Sequence, residues 1–275
     1  MLAPRLSERS PAIDRRTARR RFERAAETYL EASRLEDEIA ARMLERLDYV
    51  KLAPRRVLDA GSGPPRAALA KRYPHATVVA LDFSFPMLPK QGFLARLAGS
   101  RRVSICGDLE RLPLADASVD LVWSNMALHW LSDTLAAFKE FRRVLAPDGL
   151  LMFSTLGPDT HKELRAAAGA GRVHPFIDMH DLGDMLVAAG LSAPVTDMEM
   201  LELAYPDAKT LLHDLRASGQ TSARADRPRG LSGKAFGERL RRALGDKPKA
   251  TFEVVYGHAW RPQEVKTVRI FRRIP

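Results

Sequence analysis

The sequence predicts an α/β fold in which helices cover both faces of a mostly parallel, seven-stranded sheet. Seven short segments are rich in β-branched and other apolar residues, a composition that favours strands. Helix-length segments separate the first five, an alternation typical of right-handed crossovers in a parallel sheet. The chain has 275 residues, 45% of them hydrophobic, which is enough to enclose one large core. We therefore expect a single domain over residues 1–275, with or without appended helices.

The N-terminal part is predicted to be helical. Apolar residues recur there at every fourth position: Leu35, Ile39, Met43 and Leu47. This spacing predicts one or two amphipathic helices within residues 22–47. They would form most of a helical cap over residues 1–50, which Pro54 separates from the first strand.

The core sheet is predicted over residues 51–205 and 250–260. Its strands, in chain order, are expected at Arg56–Ala60, Thr77–Asp82, Val103–Asp108, Asp120–Asn125, Leu150–Thr155, Thr196–Tyr205 and Thr251–Trp260. The clearest helix is Leu135–Leu145, which a Pro-Asp-Gly turn follows. A second helix is expected over Asp181–Ala189 with Asp181 as its N-cap. Three side chains of the sixth strand are expected to face the core: Met198, Met200 and Leu203.

Residues outside the sheet suggest a lid and a tail. Residues 206–249 contain helical pieces and a basic stretch with glycine and proline, typical of a lid insertion or an exposed loop. Residues 261–275 form a basic tail. Cys106 is the single cysteine, which fits a reducing compartment, and its apolar strand predicts that it is buried. We expect a cytoplasmic location, with the mitochondrial matrix as the alternative.

The net charge is +10, which has two interpretations. It is either the ordinary surface of an arginine-rich protein or a means of attracting an acidic partner by long-range steering. Nucleic acid is disfavoured, because no zinc-finger spacing or aromatic RNA-binding motif accompanies the charge. No apolar run approaches the roughly 18 residues that span a bilayer, so no membrane partner is expected.

A glycine turn and a spaced acid predict nucleoside binding. The segment Val57–Gly63, VLDAGSG, is an apolar strand that opens into a glycine turn, where backbone can approach a ligand closely. Asp82 ends the next strand 19 residues after Gly63, close to the spacing of an acid that binds ribose hydroxyls. Position 66 is Arg66, whereas the dinucleotide motif has glycine there, and no Walker sequence occurs. NAD and ATP are therefore disfavoured.

A third motif, GDLERLPLADASVDLVWSN over Gly107–Asn125, completes a set that resembles the class I S-adenosylmethionine-dependent methyltransferases. The resemblance covers roughly residues 20–260 and implies a Rossmann-like fold with S-adenosyl-L-methionine as cofactor. It implies roles at the glycine turn, the ribose, the adenine and the methionine part for Asp59, Gly61, Ser62, Gly63, Asp82, Phe83, Asp108, Leu109 and Asn125. The chain departs from the family at Pro64-Pro65, where a threonine and a glycine are usual, and proline donates no amide hydrogen.

Within this family, several segments resemble the malonyl-acyl-carrier-protein O-methyltransferases of biotin synthesis. They are FERAAETY, SNMALHW, RVLAPDGLLMFSTLGPDTHKELR, HPFIDMHDLGDML and TFEVVYGHAW. The resemblance implies methylation of the free carboxylate of malonyl-acyl carrier protein or malonyl-CoA. The same core also resembles a complex I assembly factor described as a protein-arginine hydroxylase. A protein-modifying relative and a non-catalytic assembly factor therefore remain alternatives, and Pro64-Pro65 motivates the second.

The expected chemistry requires positioning more than acid–base catalysis, because a malonyl carboxylate is already ionised at neutral pH. Tyr29 is the first candidate on the acceptor side, and a core tyrosine is the alternative. His129 and Trp130 follow the fourth strand, where ligands of such sheets bind. Trp130 could equally be packing, and His129 is expected to line the site without acting as a base.

Two further assignments are left open or disfavoured by the sequence. An arginine is the natural partner of the malonyl carboxylate, and three candidates are Arg143, Arg165 and Arg216. A metal site is disfavoured, because the spacing of four clustered residues does not match a tight zinc motif. These four are His174, Asp178, His180 and Asp181.

Overall fold

The computed structural model describes residues 12–88, 101–228, 230 and 233–263. Its strands are β1 Arg56–Ala60, β2 Thr77–Asp82, β3 Arg102–Cys106, β4 Val119–Asn125, β5 Leu145–Leu156, β6 Ser192–Ala204 and β7 Lys249–Trp260. They form one sheet with the order β3-β2-β1-β4-β5-β7-β6. Neighbours from β3 to β5 are parallel, and β7 runs antiparallel to both β5 and β6. The predicted mostly parallel sheet and its seven strands are confirmed.

Helices occupy the segments between the strands. They are α1 Arg15–Ala25, α2 Tyr29–Ala32, α3 Arg34–Arg46, α4 Ala68–Arg72, α5 Thr134–Val144, α6 Lys162–Ala168, α7 Met179–Ala188, α8 Ala208–Ala217 and α9 Lys234–Leu244. The predicted N-terminal helices are present, and α3 buries Ile39 and Met43 completely. The helix after Pro64-Pro65 has only five residues, because proline disrupts the start of a longer helix by fixing φ and lacking an amide hydrogen.

The core lies on both faces of the sheet. Successive residues of a strand point to opposite faces, and both Val57 and Leu58 of β1 are fully buried. Val57 packs in the cluster that α3 and α8 cover, whereas Leu58 packs in the cluster containing Phe138 and Phe141 of α5. Cover on both faces holds the carboxyl ends of β1, β2 and β4 in fixed positions, and these ends carry the site described below.

Two burial predictions were wrong, and both concern strands at the edges of the sheet. Met198, Met200 and Leu203 of β6 are 42%, 41% and 37% exposed instead of facing the core. Cys106, at the end of β3, is also exposed. Because β6 and β3 are the two outermost strands, their side chains receive less cover than those of central strands.

The predicted start of α7 was also wrong. The side chain of Asp178 is the N-cap, since its carboxylate accepts a hydrogen bond from the backbone N–H of His180 at 2.8 Å. Asp181 lies inside the first turn of the helix. Two acids near a helix start both fit a cap pattern, and only the backbone geometry distinguishes them.

Helices α8 and α9 form the insertion between β6 and β7. In the structure α8 packs against α1 and α2, and α9 packs against α6 and α8. The insertion thus lies beside the N-terminal helices, and its role as a lid stays a prediction. Residues 1–11 of the predicted cap and 264–275 of the predicted tail lie outside the described residues. No helix among the described residues is long and apolar enough to cross a membrane.

Candidate cofactor and acceptor site

Two adjoining cavities lie at the carboxyl ends of β1, β2 and β4, where ligands of parallel sheets bind. We call them the Asp82 cavity and the Asp59 cavity after one lining residue of each. Counted with their open mouths, they contain about 650 Å³ and 500 Å³ of empty space. Three residues line both cavities: Tyr29, Gly61 and Asn125.

The glycine turn after β1 shapes the floor of both cavities. Gly61 and Gly63 have φ of +75° and +58°, a left-handed conformation that glycine adopts without a steric cost. A Cβ on Gly61 would lie 2.3 Å from the Cβ of Ala127. The backbone N–H groups of Gly61 and Ser62 both donate to the carbonyl oxygen of Leu81, at 2.8 and 3.0 Å. The turn is therefore fixed to the end of β2.

Asp82 is buried at the end of β2 and lines the first cavity. Its carboxylate accepts hydrogen bonds from the backbone N–H of Gly63 at 3.0 Å and of Ser84 at 2.8 Å. Burial raises the pKa of Asp82 to about 6, although these hydrogen bonds oppose the shift. The backbone N–H of Phe83 also acts on this carboxylate, but a carboxylate has roughly four acceptor positions, so the backbone does not use all of its acceptor capacity.

Asp108 and Leu109 line the same cavity, on the β3 side. The Asp108 carboxylate pairs with the guanidinium of Arg15, which also lies 3.2 Å from Glu110. One oxygen of Asp108 accepts from the backbone N–H of Glu110 at 3.0 Å. Helix α1 is thus attached across this end of the cavity.

Aromatic side chains form the wall opposite the glycine turn. The ring of Phe22 lies edge-on to Trp130, with centroids 5.0 Å apart, and 5.8 Å from Phe83. Tyr29 is buried, and burial raises the pKa of its hydroxyl well above its usual value. Tyr29 therefore remains a protonated hydrogen-bond donor at neutral pH.

The Asp59 cavity contains two acids, Glu36, which is buried, and Asp59, which is partly buried. Burial raises the pKa of Asp59 to about 6, while the guanidinium of Arg102, 3.9 Å away, opposes the shift. Burial likewise raises the pKa of Glu36 to about 7, and its carboxylate accepts a hydrogen bond from the side chain of Gln220. The Asn125 amide donates to the Glu36 carbonyl oxygen at 2.9 Å, so β4 and α3 are joined at the cavity wall.

Arg66 lines the same cavity and was missed from the sequence. Its Nη2 donates to Ser33 Oγ at 2.6 Å, and its Nε pairs with Asp37. Its Nη1 lies 3.7 Å from the position that a Cβ on Gly63 would occupy. Within the described residues, Nη1 has no hydrogen-bond partner. The available signal was the position of Arg66, directly after Pro64-Pro65.

Pro64 and Pro65 do not fill the site. Pro64 is buried and Pro65 is exposed, and neither lines the Asp82 cavity or the Asp59 cavity. The two prolines therefore remove backbone donors from the turn without occupying the ligand space. This weakens the observation that motivated a non-catalytic assembly factor.

His129 is not brought to these cavities. It is buried against Thr155, whose Oγ1 lies 3.3 Å from Nδ1, and lines a separate small cavity beside Phe176. Burial lowers the pKa of His129 well below its usual value. The Nε2 of His174 donates to the His129 carbonyl oxygen at 2.7 Å. Only Trp130 of this predicted pair lines the Asp82 cavity.

The other expected residues separate in space. The Arg143 side chain is occupied by Glu140 and Asp116 at 2.8 and 2.6 Å, and Arg165 donates to a backbone carbonyl. Arg216 lines a different groove. Among the described residues, no three His, Cys, Asp or Glu side chains are grouped so that they could hold a metal ion.

Comparison with known proteins identifies the family to which the chain belongs. Residues 58–153 match the model of a methyltransferase domain. The malonyl-acyl-carrier-protein O-methyltransferase of Methylovorus sp. (strain MP688) is 52% identical over 268 residues, covering 91% of this chain and 90% of that protein. Its namesake from Gallionella capsiferriformans (strain ES-2) is 48% identical over 268 residues, covering 91% and 92%. The solved YcgJ protein of Bacillus subtilis shares the fold, with a TM-score of 0.58 and 18% identity over 81% of this chain and 98% of that chain.

Proposed function

The chain belongs to the malonyl-acyl-carrier-protein O-methyltransferase family, and on that premise we propose that it methylates the free carboxylate of a malonyl thioester on an acyl carrier protein. S-adenosyl-L-methionine supplies the methyl group: the carboxylate oxygen bonds to the methyl carbon as the carbon–sulfur bond breaks, leaving a methyl ester and S-adenosylhomocysteine. Malonyl-CoA presents the same malonyl thioester and is the alternative acceptor. The product would enter biotin synthesis, and the cytoplasmic location stays a prediction.

The observation that carries this proposal is the buried carboxylate of Asp82 beside the glycine turn. At Gly61 in this turn, a Cβ would clash with Ala127. The free acceptor positions of Asp82 suit the two ribose hydroxyls of the cofactor. Asp108 lines the other end of the same cavity, where an acid can accept from the adenine amino group and the Leu109 amide can donate to a ring nitrogen. Phe83 would flank the adenosyl group.

The Asp59 cavity suits the methionine part of the cofactor. Two acids, Asp59 and Glu36, can accept from an ammonium group, and the free Nη1 of Arg66 can donate to a carboxylate. Pro64-Pro65 cannot donate from their backbone, so Arg66 would replace the missing donors by a side chain. Ser62 and Asn125 line this cavity, and Asn125 also lines the Asp82 cavity.

The remaining residues would position the acceptor and exclude water. Tyr29 lines both cavities, so it borders the point where the sulfonium methyl would lie, and its protonated hydroxyl can donate to the malonyl carboxylate. Trp130 and Phe22 would exclude water beside it. Holding the reacting atoms in line can lower a barrier by roughly 7–11 kcal/mol, and no general base is needed.

Product analysis tests this function. The protein is incubated with malonyl-acyl carrier protein or malonyl-CoA and methyl-labelled cofactor, and the expected product is a labelled methyl ester. Folded protein that forms no ester from either acceptor would contradict the proposal. A mass increase of one oxygen on a protein partner would instead support the hydroxylase alternative. Calorimetry without cofactor binding would support the assembly-factor alternative.

A further inference from the structure

A groove separate from both cavities lies between α6, α8 and α9. We call it the Phe236 groove, and it contains about 730 Å³ of empty space counted with its open mouth. Its apolar lining includes Leu164, Ala168, Leu212, Leu215, Phe236 and Leu240. Two arginines also line it. Arg172 lies over the ring of Phe236 at 4.2 Å, and Arg216 makes no ion pair with any described residue.

The inner wall of the groove is shared with the proposed reaction site. Gln220 lines the groove, and its amide donates to the carboxylate of Glu36, which lines the Asp59 cavity. His174 also lines the groove, and its ring centroid lies 4.4 Å from that of Trp130, which lines the Asp82 cavity. At both points the wall therefore consists of two side chains in contact, one lining the groove and one lining the cavity.

Helix α9 places positive charge at the rim of the groove. Its apolar residues Phe236 and Leu240 face the groove, whereas Arg239, Arg241 and Arg242 are exposed. In the described part of the chain, none of these three arginines forms an ion pair. The single acid of the helix is Glu238. An extended chain lying in the groove would thus enter beside a strongly basic helix.

A second basic surface provides a comparison. Arg16, Arg20 and Arg24 of α1 are exposed one helical turn apart, and within the described ranges they too have no ion-pair partner. Helix α1 contributes Arg15 and Phe22 to the Asp82 cavity and nothing to the Phe236 groove. Each helix thus has three exposed arginines without an ion pair to a described residue, although Arg239 lies over the Phe236 ring at 5.5 Å, and the two helices border different openings.

We propose that the Phe236 groove receives the phosphopantetheine arm of the acyl carrier protein and that the exposed arginines of α9 dock the acidic surface of that carrier. This inference rests on the proposed function. The apolar lining suits the arm, and Arg216 can bind its phosphate in two-point fashion. Because two side chains separate the groove from the cavities at both points, Gln220 or His174 would move aside to let the malonyl carboxylate reach the cofactor.

Charge reversal tests the docking surface. The α9 variant carries Arg239→Glu, Arg241→Glu and Arg242→Glu, and the matched control carries Arg16→Glu, Arg20→Glu and Arg24→Glu. Both variants change the net charge equally, so long-range steering should change similarly. Each is assayed with malonyl-carrier protein and with malonyl-pantetheine, which has the thioester arm but no protein.

For malonyl-carrier protein, the α9 variant should raise KM by about 10-fold or more at low salt, and the control by less than about 3-fold. For malonyl-pantetheine, both should match the unmodified protein. Equal effects of the two variants, or no effect of the α9 variant, would overturn the docking assignment. Absence of methyl ester from either substrate with the unmodified protein would reject the proposed function itself.

A second variant tests the groove. Ala168→Phe adds bulk to its lining, so KM should rise by about 10-fold for both malonyl-carrier protein and malonyl-pantetheine. The dissociation constant of S-adenosylhomocysteine and the melting temperature should stay unchanged, because Ala168 lines neither cofactor cavity. Unchanged KM for both substrates in the folded variant would exclude the groove as the path of the arm.

Discussion

Replacing Arg66 should weaken cofactor binding only when the ligand has an amino-acid tail. The change is Arg66→Met, which keeps much of the side-chain length and removes the donors. S-adenosylhomocysteine carries the tail, whereas methylthioadenosine has the same adenosyl thioether without it. We expect the variant to lose affinity for the first ligand and to keep its affinity for the second.

The magnitude follows from the environment of the guanidinium. A hydrogen bond to a charged group contributes about 1.5–3 kcal/mol, and the Arg66 side chain is 22% exposed, which favours the lower part of this range. Each 1.4 kcal/mol corresponds to a tenfold change, so we expect a loss of about 10- to 30-fold. Arg66→Lys keeps the charge without the fork and should lose less.

Isothermal titration calorimetry with both ligands provides the measurement, and Arg56→Met, a change on an arginine that lines neither cavity, provides the control. Arg66 also contacts Ser33 and Asp37, so its loss could loosen α3 against the site. That structural effect would weaken both ligands together. An equal loss for the two ligands, or none for either, would refute the assignment of Arg66 to the carboxylate.

Further outcomes follow from the site. Asp82→Ala should weaken S-adenosylhomocysteine about 10- to 150-fold by calorimetry, since a charge-assisted contact is lost; unchanged affinity would make Asp82 purely structural. With the pKa of Asp82 raised from 3.8 to about 6, affinity in the unmodified protein should fall as the pH drops through about 6. Without ligand, the contribution of Asp82 to folding stability should instead decline as the pH rises from about 4 to 6. The reason is that the native state binds the Asp82 proton more tightly than the unfolded state does. Gly61→Ala should destabilise the fold by about 2–4 kcal/mol in urea unfolding, because its Cβ would clash with Ala127 and its φ is positive; a variant as stable as the parent would contradict the close approach. Arg15→Ala should change the free energy of unfolding by less than about 1 kcal/mol, because the pair with Asp108 is half exposed. The variant should speed ligand association in stopped-flow fluorescence, because this pair attaches α1 across one end of the cavity. An unchanged rate would show that α1 does not limit entry.

The parts of the fold that the sequence predicted are those encoded by local patterns. The central strands are short apolar runs because helices cover both faces of the sheet, so Val57 and Leu58 are both buried. The glycine turn and Asp82 are separated by one strand–helix–strand unit, whose length fixes their approach. Only these short-range relations could be read from spacing.

The errors arise where the environment depends on distant segments. Met198 lies on an edge strand, and its exposure depends on how much of that strand α7 covers. Arg15 meets Asp108 across 93 residues, and Arg66 meets Ser33 across 33 residues. His129 directly precedes Trp130, but the short helical turn over Leu128–Trp130 directs their side chains to different cavities. None of these partners is fixed by local spacing.

The turn at residues 61–66 contains both Pro64-Pro65, where this chain departs from its family, and Arg66, whose side chain would supply the missing donor. Pro64-Pro65 removes two backbone N–H groups, whereas a guanidinium offers five N–H donors. Arg66 uses its Nε and Nη2 on α3, which leaves Nη1 beside Gly63. A donor carried by a side chain can be removed by a substitution that leaves the backbone of the turn unchanged. If Arg66→Met weakens S-adenosylhomocysteine but not methylthioadenosine, the Arg66 side chain has replaced the missing backbone donors. If neither ligand is weakened, the site has lost those donors without replacement.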